Sequence, residues 1–311
     1  MTTYRSAGLV DLQVNGYAGV DFNDATITAD ALDHALHAML GAGVTTCLPT
    51  IITAPAAGLE TRLRALDDAV AGSRLGPLMV PGYHVEGPFL NPKPGFAGCH
   101  PPAAMIAPDP ALVERWDAGA SVSGRAADAG ARMSTHLGNG LPGMLPKLDN
   151  PLMAQLAEDR LAAGFIADGI HLPCPALRAM IRAKGPGRAI LVTDAVAAAG
   201  APPGCYGFAG MQIEGGADGS ARLAGTRALA GSALTLDRAV RNVVAWGIAD
   251  LPQAVAMASA APTTLLDQAL AAHGAALRDG AVQWHLSDRT NRPEPQICTV
   301  EFGDRVIKHR V

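Results

Sequence analysis

Gly82-Tyr-His-Val-Glu-Gly-Pro-Phe-Leu90 follows the apolar run Leu78-Met79-Val80 and breaks at Gly87-Pro88. This pattern predicts a buried strand that stops abruptly. Its last residue before the break is a carboxylate, Glu86, and His84 lies two positions earlier, so both side chains leave the same face. A carboxylate and an imidazole at the carboxyl end of a buried parallel strand are poorly placed for packing. They are well placed for a site at the mouth of an α/β fold.

Outward from this stretch the pattern alternates. Leu9–Val14 reads as a strand closed by Asn15-Gly16. Thr28 can cap a helix carrying Leu32, Leu36 and Met39, and Val44–Leu48 reads as a strand stopped by Pro49. Leu59, Leu63, Leu66 and Val70 repeat at helical spacing. Beyond the Pro- and Gly-rich loop 91–102, a short helix is expected around Leu112, Val113 and Trp116, with no convincing strand over 117–128. Strands are expected over 131–136, 161–167 and 189–193, with helices around Leu152, Leu177 and Leu236, and Asp250 capping another. A hairpin fits Gly215–Gly219, and a second fits Val300–Ile307. Strand and helix in alternation imply parallel strands covered by helices, either a closed barrel or a doubly wound sheet. The strands legible here fall short of the eight that a (β/α)8 barrel requires.

The chain has 311 residues, 49% of them hydrophobic and 17% charged, which is enough for one large domain with a small appendage. A net charge of −4 argues against nucleic acid or an anionic membrane as partner. No apolar run approaches the ~18 residues of a membrane span, and no signal peptide is visible. Cysteines 47, 99, 174, 205 and 298 are odd in number and scattered, which suits free thiols in a reducing cytoplasm.

Polar residues gather after strands: Asn15, Glu86, His136, His171 and Asp194, with His100 on the loop behind Glu86. A single strand-end histidine is ordinarily a hydrogen-bonded structural residue. Several carboxylates and imidazoles at one sheet edge suit a divalent cation such as zinc. There is no GxSxG elbow and no Walker loop, and Gly138-Asn-Gly140 lacks the rest of a dinucleotide fingerprint. Leu229-Ala-Gly-Ser232 either offers backbone N–H groups to a ligand or simply starts a helix.

Seven motifs stand in a telling order: Leu12-Gln-Val-Asn-Gly, His84-Val-Glu-Gly-Pro-Phe-Leu, Gly98-Cys-His-Pro, Ser134-Thr-His-Leu-Gly-Asn, Ile166-Ala-Asp-Gly-Ile-His, Leu191-Val-Thr-Asp-Ala and Leu229-Ala-Gly-Ser-Ala-Leu-Thr. From about Gly8 to Leu266 the chain resembles the N-acetylglucosamine-6-phosphate deacetylases of the amidohydrolase superfamily. The resemblance implies a TIM-barrel-like (β/α)8 metal-dependent hydrolase over 8–272. A remnant of a small β domain would comprise 273–311 together with 1–7. It implies Glu86 and His136 as metal ligands and Asp194 as catalytic acid/base. His100 would polarise the acetyl carbonyl, with Cys99 beside it, and His171 would touch substrate. Asn139, Gly140, Leu229, Ala230 and Gly231 would be further sugar contacts. Gln13 and Asn15 stand where many relatives carry His-x-His, which implies one ion, zinc or alternatively iron. The expected substrate is an amino-sugar phosphate, and the expected assembly a homodimer.

The chain departs from this pattern in three ways. No histidine lies between His100 and His136, where the family carries its third metal ligand, and the interval is short by about two barrel strands. Gly124-Arg125 reads as a scar of that region, and His84, on the face of Glu86, is the candidate substitute ligand. The chain begins at the first barrel strand, with only the tail resembling the small β domain. The arginine that meets the phosphate is absent, and Lys147 could act there as a point charge. An inactive relative that binds a sugar phosphate, or an amidohydrolase for another N-acyl substrate, would also be compatible with these departures.

Overall fold

The computed structural model describes residues 2–93, 96–109, 131–271, 277–286, 295–303 and 305–308. β1 (Thr2–Ala7) leads into β2 (Leu9–Val14), in which every residue is buried. A small antiparallel pair follows, β3 (Gly16–Tyr17) with β4 (Val20–Asp21). β2 pairs in parallel with β5 (Val44–Ile52), and β5 with β6 (His84–Glu86). A second parallel set joins β7 (Met133–Ser134), β8 (Ala162–Ile166) and β9 (Ala189–Val192).

The two sets meet where the chain leaving β9 runs beside β2. Asp194 N–H donates to Gln13 O at 2.9 Å, and Asn15 N–H donates to Ala195 O at 2.6 Å. The described parallel strands therefore run β6-β5-β2-β9-β8-β7. Burial on both sides explains their apolar character, as in α/β folds generally.

Local chemistry accounts for the helices. Helix Ala29–Gly41 begins where Thr28 Oγ1 accepts from Ala31 N–H, and it buries Leu32, Leu36, Met39 and Leu40. Helix Leu251–Ala258 carries a full capping box of Asp250 and Gln253. Helix Leu236–Ala245 buries Leu236, Val240 and Val243, each worth about 1.5–3 kcal/mol of apolar transfer. Asp33 fastens the first helix to the turn after the second by accepting from Ser73 Oγ, Leu75 N–H and Arg74 Nε.

Two antiparallel sheets flank this centre. β10 (Gly204–Phe208), β11 (Met211–Gly215), β12 (Ser220–Leu223) and β13 (Leu229–Ser232) form a meander. β14 (Gly280–Leu286), β15 (Pro295–Phe302) and β16 (Arg305–Lys308) extend a sheet whose first strand is β1.

Several expectations need correction. β5 runs through Pro49 instead of stopping there. Pro49 sits at a register shift against β2, where its missing N–H forfeits no regular ladder bond. Leu78-Met79-Val80 is not strand: Gly76–Met79 forms a short helix, and β6 is confined to three residues. The strand before His136 is likewise reduced to Met133–Ser134. The stretch 195–229, read as one hairpin, contributes four strands once β13 is counted, because its apolar residues pack in their own cluster around Phe208 and Ile213. β2, expected to be the first strand of the chain, is preceded by β1, which pairs with β14 from Thr2 to Ala7. The helix expected near Leu112, the strandless stretch 117–128 and the Gly124-Arg125 reading lie outside the described residues.

Candidate active site

The carboxyl ends of β2, β6, β7 and β9 bring one polar cluster together. Glu86 ends β6, and Gln13 lies near the end of β2. His136 follows β7, and Asp194 follows β9. Glu86 Oε1 lies 2.7 Å from His136 Nε2. Gln13 Nε2 donates to Glu86 Oε2 at 3.1 Å and to Asp194 Oδ1 at 3.2 Å, and Asn15 Nδ2 donates to the same Asp194 oxygen at 2.7 Å. The partners settle both amide orientations, because the reverse would place amide oxygen against carboxylate. The carbonyl oxygens Gln13 Oε1 and Asn15 Oδ1 are then buried without a protein partner, as is His136 Nδ1. Orphaned buried polar atoms of this kind mark a site built for a polar guest.

The charges follow from the geometry. Burial alone would raise Glu86, but the adjacent His136 ring holds it well below the usual carboxylate range. Burial would lower His136, and the Glu86 charge instead pushes it up to about 9. Asp194 is raised by burial and then by the Glu86 charge. Two carboxylates within reach of one amide are thus driven apart in pKa, a pattern that separates acid from base roles. Asp194 also occupies the left-handed region at φ +49°, and His136 lies at its edge at φ +21°. Such strain costs on the order of 1 kcal/mol per residue and tends to collect at functional sites.

His100 joins the cluster. Its Nε2 is 3.6 Å from Glu86 Oε1, and its Nδ1 is 2.9 Å from Thr53 Oγ1. Cys99 lies near Glu86 and Asp194, and its thiol is pushed up to about 12 by burial and then by those two charges. His171 is close enough to Asp194 to lower its pKa, and its Nδ1 is 2.6 Å from Asp168 Oδ2. Asn139 donates from Nδ2 to His136 O at 3.1 Å, and Gly140 beside it is exposed at φ +61°.

Leu229, Ala230 and Gly231 lie on β13, whose Ser232 N–H donates to Asp194 O at 2.9 Å. Gly231 presses against Asp194: a Cβ there would stand 2.8 Å from Asp194 O and 2.5 Å from Val196 Cγ1. Lys147 is exposed on the loop before helix Pro151–Ala157 and has no ion-pair partner among the described residues. His84 turns Nδ1 to Leu12 O at 2.9 Å and makes no ion-pair contact with Glu86.

Sequence reasoning missed three contributors. The bridging role of Gln13 has no signature along the chain. Thr53 stands behind His100 from a different strand connection. Asp168 grips His171, and here the Asp-x-x-His spacing was a usable signal.

For a divalent ion the donor set fits in kind, since a buried carboxylate oxygen and an imidazole nitrogen already touch. Among the described residues, no three His, Cys, Asp or Glu side chains yet surround one point as a ready cage.

No family model matches the chain. It is 31% identical to the N-acetylglucosamine-6-phosphate deacetylase of Danio rerio, with 83% of this chain aligned to 74% of that protein. It is 32% identical to the Bos taurus enzyme of the same name, over 83% and 73%. The N-acetylgalactosamine-6-phosphate deacetylase of Escherichia coli O157:H7 is 30% identical over 83% and 76%. Among solved structures, the N-acetyl-D-glucosamine-6-phosphate deacetylase of Mycobacterium smegmatis, in complex with N-acetyl-D-glucosamine-6-phosphate, superposes with a TM-score of 0.79 at 26% identity. That superposition covers 96% of this chain and 86% of the other.

Proposed function

Because the chain belongs to the N-acetylglucosamine-6-phosphate deacetylase family, we propose that it hydrolyses the acetamide of N-acetylglucosamine-6-phosphate to acetate and glucosamine-6-phosphate. The observation that carries this reading is the buried unit Glu86–Gln13–Asp194 with His136 closing on Glu86. Glu86 and His136 are the residues that would hold one divalent ion, zinc or alternatively iron. Such an ion lowers the pKa of water toward about 7 and draws charge from a carbonyl.

The chain's own groups handle the protons. Asn15 and Gln13 both donate to Asp194 Oδ1, which fixes the carboxyl and leaves Oδ2 to exchange a proton. Its raised pKa brings it toward the range where a carboxyl takes a proton from water and returns it to the departing amine. Asp168 orients His171 toward this carboxyl. The orphaned amide oxygens of Gln13 and Asn15 accept hydrogen bonds from the water or the sugar. Cys99, Asn139, Gly140 and β13 residues Leu229, Ala230 and Gly231 form the wall against the sugar, and Lys147 serves the phosphate as an exposed cation.

The parallel strands are read as part of a (β/α)8-type barrel over 8–272. The β1, β14–β16 sheet is the small β unit, and a homodimer covers the strand edges. All five cysteines are unpaired, which suits a reducing cytoplasm. No described helix is long and apolar enough to cross a membrane.

The test is acetate release from N-acetylglucosamine-6-phosphate, its galacto epimer and the sugar without phosphate. Asp194→Asn should cut kcat about 10²–10⁴-fold with the fold intact. Turnover that survives this change excludes Asp194 from proton transfer. No release from any of the three substrates refutes the assignment.

A further inference from the structure

The family resemblance calls for one more imidazole ligand between His100 and His136, and no histidine lies there. We infer that His100 supplies it: Glu86, His100 and His136 form a three-donor site for one divalent cation of the zinc class. The inference rests on the deacetylase reading and assigns, within it, the ligand that the sequence lacks. It takes His100 away from the acetyl carbonyl.

The argument begins with one proton. Thr53 is buried, and its Oγ1 donates to Glu86 O at 3.1 Å, an oxygen that can only accept. A hydroxyl has one proton to give, so toward His100 Nδ1, at 2.9 Å, Thr53 Oγ1 accepts. Nδ1 therefore carries the hydrogen, and Nε2 of the neutral ring presents its lone pair. Metal-binding imidazoles are held in this way, with the far N–H tied to an oxygen.

The lone pair faces an anion. His100 Nε2 stands 3.6 Å from Glu86 Oε1, and each side chain is only 10% exposed. That separation is too long for a hydrogen bond. Two ligands of one tetrahedral ion, each at ~2.0–2.2 Å, lie about 3.4 Å apart. The geometry is that of two donors awaiting a common cation. His136 Nε2 approaches the same Glu86 oxygen from its own strand at 2.7 Å. Opening that contact by about 0.7 Å would put both imidazole nitrogens at ligand spacing from that one carboxylate oxygen.

His84 is the weaker candidate. Its Nδ1 is committed to Leu12 O, and no ion-pair contact joins it to Glu86 among the described residues. Two imidazole nitrogens and a carboxylate oxygen suit zinc, iron or cobalt better than calcium or magnesium.

The test strips the full chain with a chelator and titrates Zn²⁺ calorimetrically into the parent, His100→Ala and His84→Ala, with circular dichroism to verify folding. The parent should bind one ion per chain, and His100→Ala should lose at least 100-fold in affinity, more than a supporting group costs. His84→Ala should stay within about threefold of the parent. As a second readout, His100→Cys loaded with Co²⁺ should gain a thiolate-to-cobalt charge-transfer band absent from the parent. If His100→Ala keeps parental affinity, or His100→Cys binds Co²⁺ without that band, the ligand assignment fails while the deacetylase reading stands. A parent that binds no ion, or that releases acetate at full rate after stripping, overturns both.

Discussion

Replacing Gln13 by methionine keeps the approximate length of the side chain and deletes the amide that joins Glu86 Oε2 to Asp194 Oδ1. Gln13 is fully buried, so bulk water does not take the amide's place. A hydrogen bond to a charged group is worth about 1.5–3 kcal/mol. At 3.1 and 3.2 Å these two belong at the lower end, and Asp194 keeps its shorter bond from Asn15 at 2.7 Å.

The ionised form of Asp194 should lose about 1.4 kcal/mol relative to the neutral form, equivalent to roughly one pH unit. The sign follows from its role. In the proposed mechanism Asp194 works as a base when ionised, so a higher pKa moves the acid limb of kcat/KM to higher pH. Activity is lost on the acid side and recovered on the alkaline side. The Glu86 charge, no longer separated by a donor, pushes in the same direction. Global stability should fall by about 2 kcal/mol, a few degrees in Tm. The assay is the pH profile of acetate release in parent and variant, with thermal melts alongside. An acid limb that stays in place or moves down refutes the bridging role. A loss that is uniform across pH would mean that Gln13 acts on the fold or the substrate and not on the Asp194 proton.

Three further outcomes are expected. Asp33 is held at about 2: burial alone would raise it, but the Ser73 hydroxyl and the N–H groups of Leu75 and Arg74 outweigh that. Its stabilisation is therefore complete above about pH 4 and is lost as pH falls toward 2, so Asp33→Ala should cost about 2 kcal/mol at neutral pH and flatten the acid side of the stability curve, measured by denaturant titration. Lys184 is buried and its Nζ donates to Glu158 O and Leu161 O, both at 2.9 Å, so Lys184→Met should cost about 2–4 kcal/mol; an unchanged denaturation midpoint would contradict this. Gly231→Ala puts a Cβ at φ +62° against Val196 and Asp194 O, and should lower stability by about 1–3 kcal/mol while reducing kcat more than it changes KM; parental kcat would show that β13 does not set the position of Asp194.

The local elements were largely legible because local physics decides them. Thr28 caps its helix, Asp250 and Gln253 form their box, and the apolar run of β2 is buried throughout, as periodicity and capping rules require. The misreadings fall where tertiary context overrides propensity. Pro49 survives inside β5 because a register shift removes the bond it would break. Leu78–Val80 is apolar in either helix or strand, and periodicity cannot separate the two over so few residues.

Sequence alone singled out the strand-end groups Glu86, His136 and Asp194 as candidates, because carboxylates and imidazoles there have no packing rationale, and the fold brings the three together. The partners of those groups came only with the fold. Gln13 reaches Asp194 through the pairing of β2 with the chain leaving β9 and reaches Glu86 across β5, and Thr53 meets His100 from another connection. Sequence separation carries no information about such contacts. A hydrogen bond across parallel strands depends on register to within one residue, and register is settled by the packing of the whole sheet.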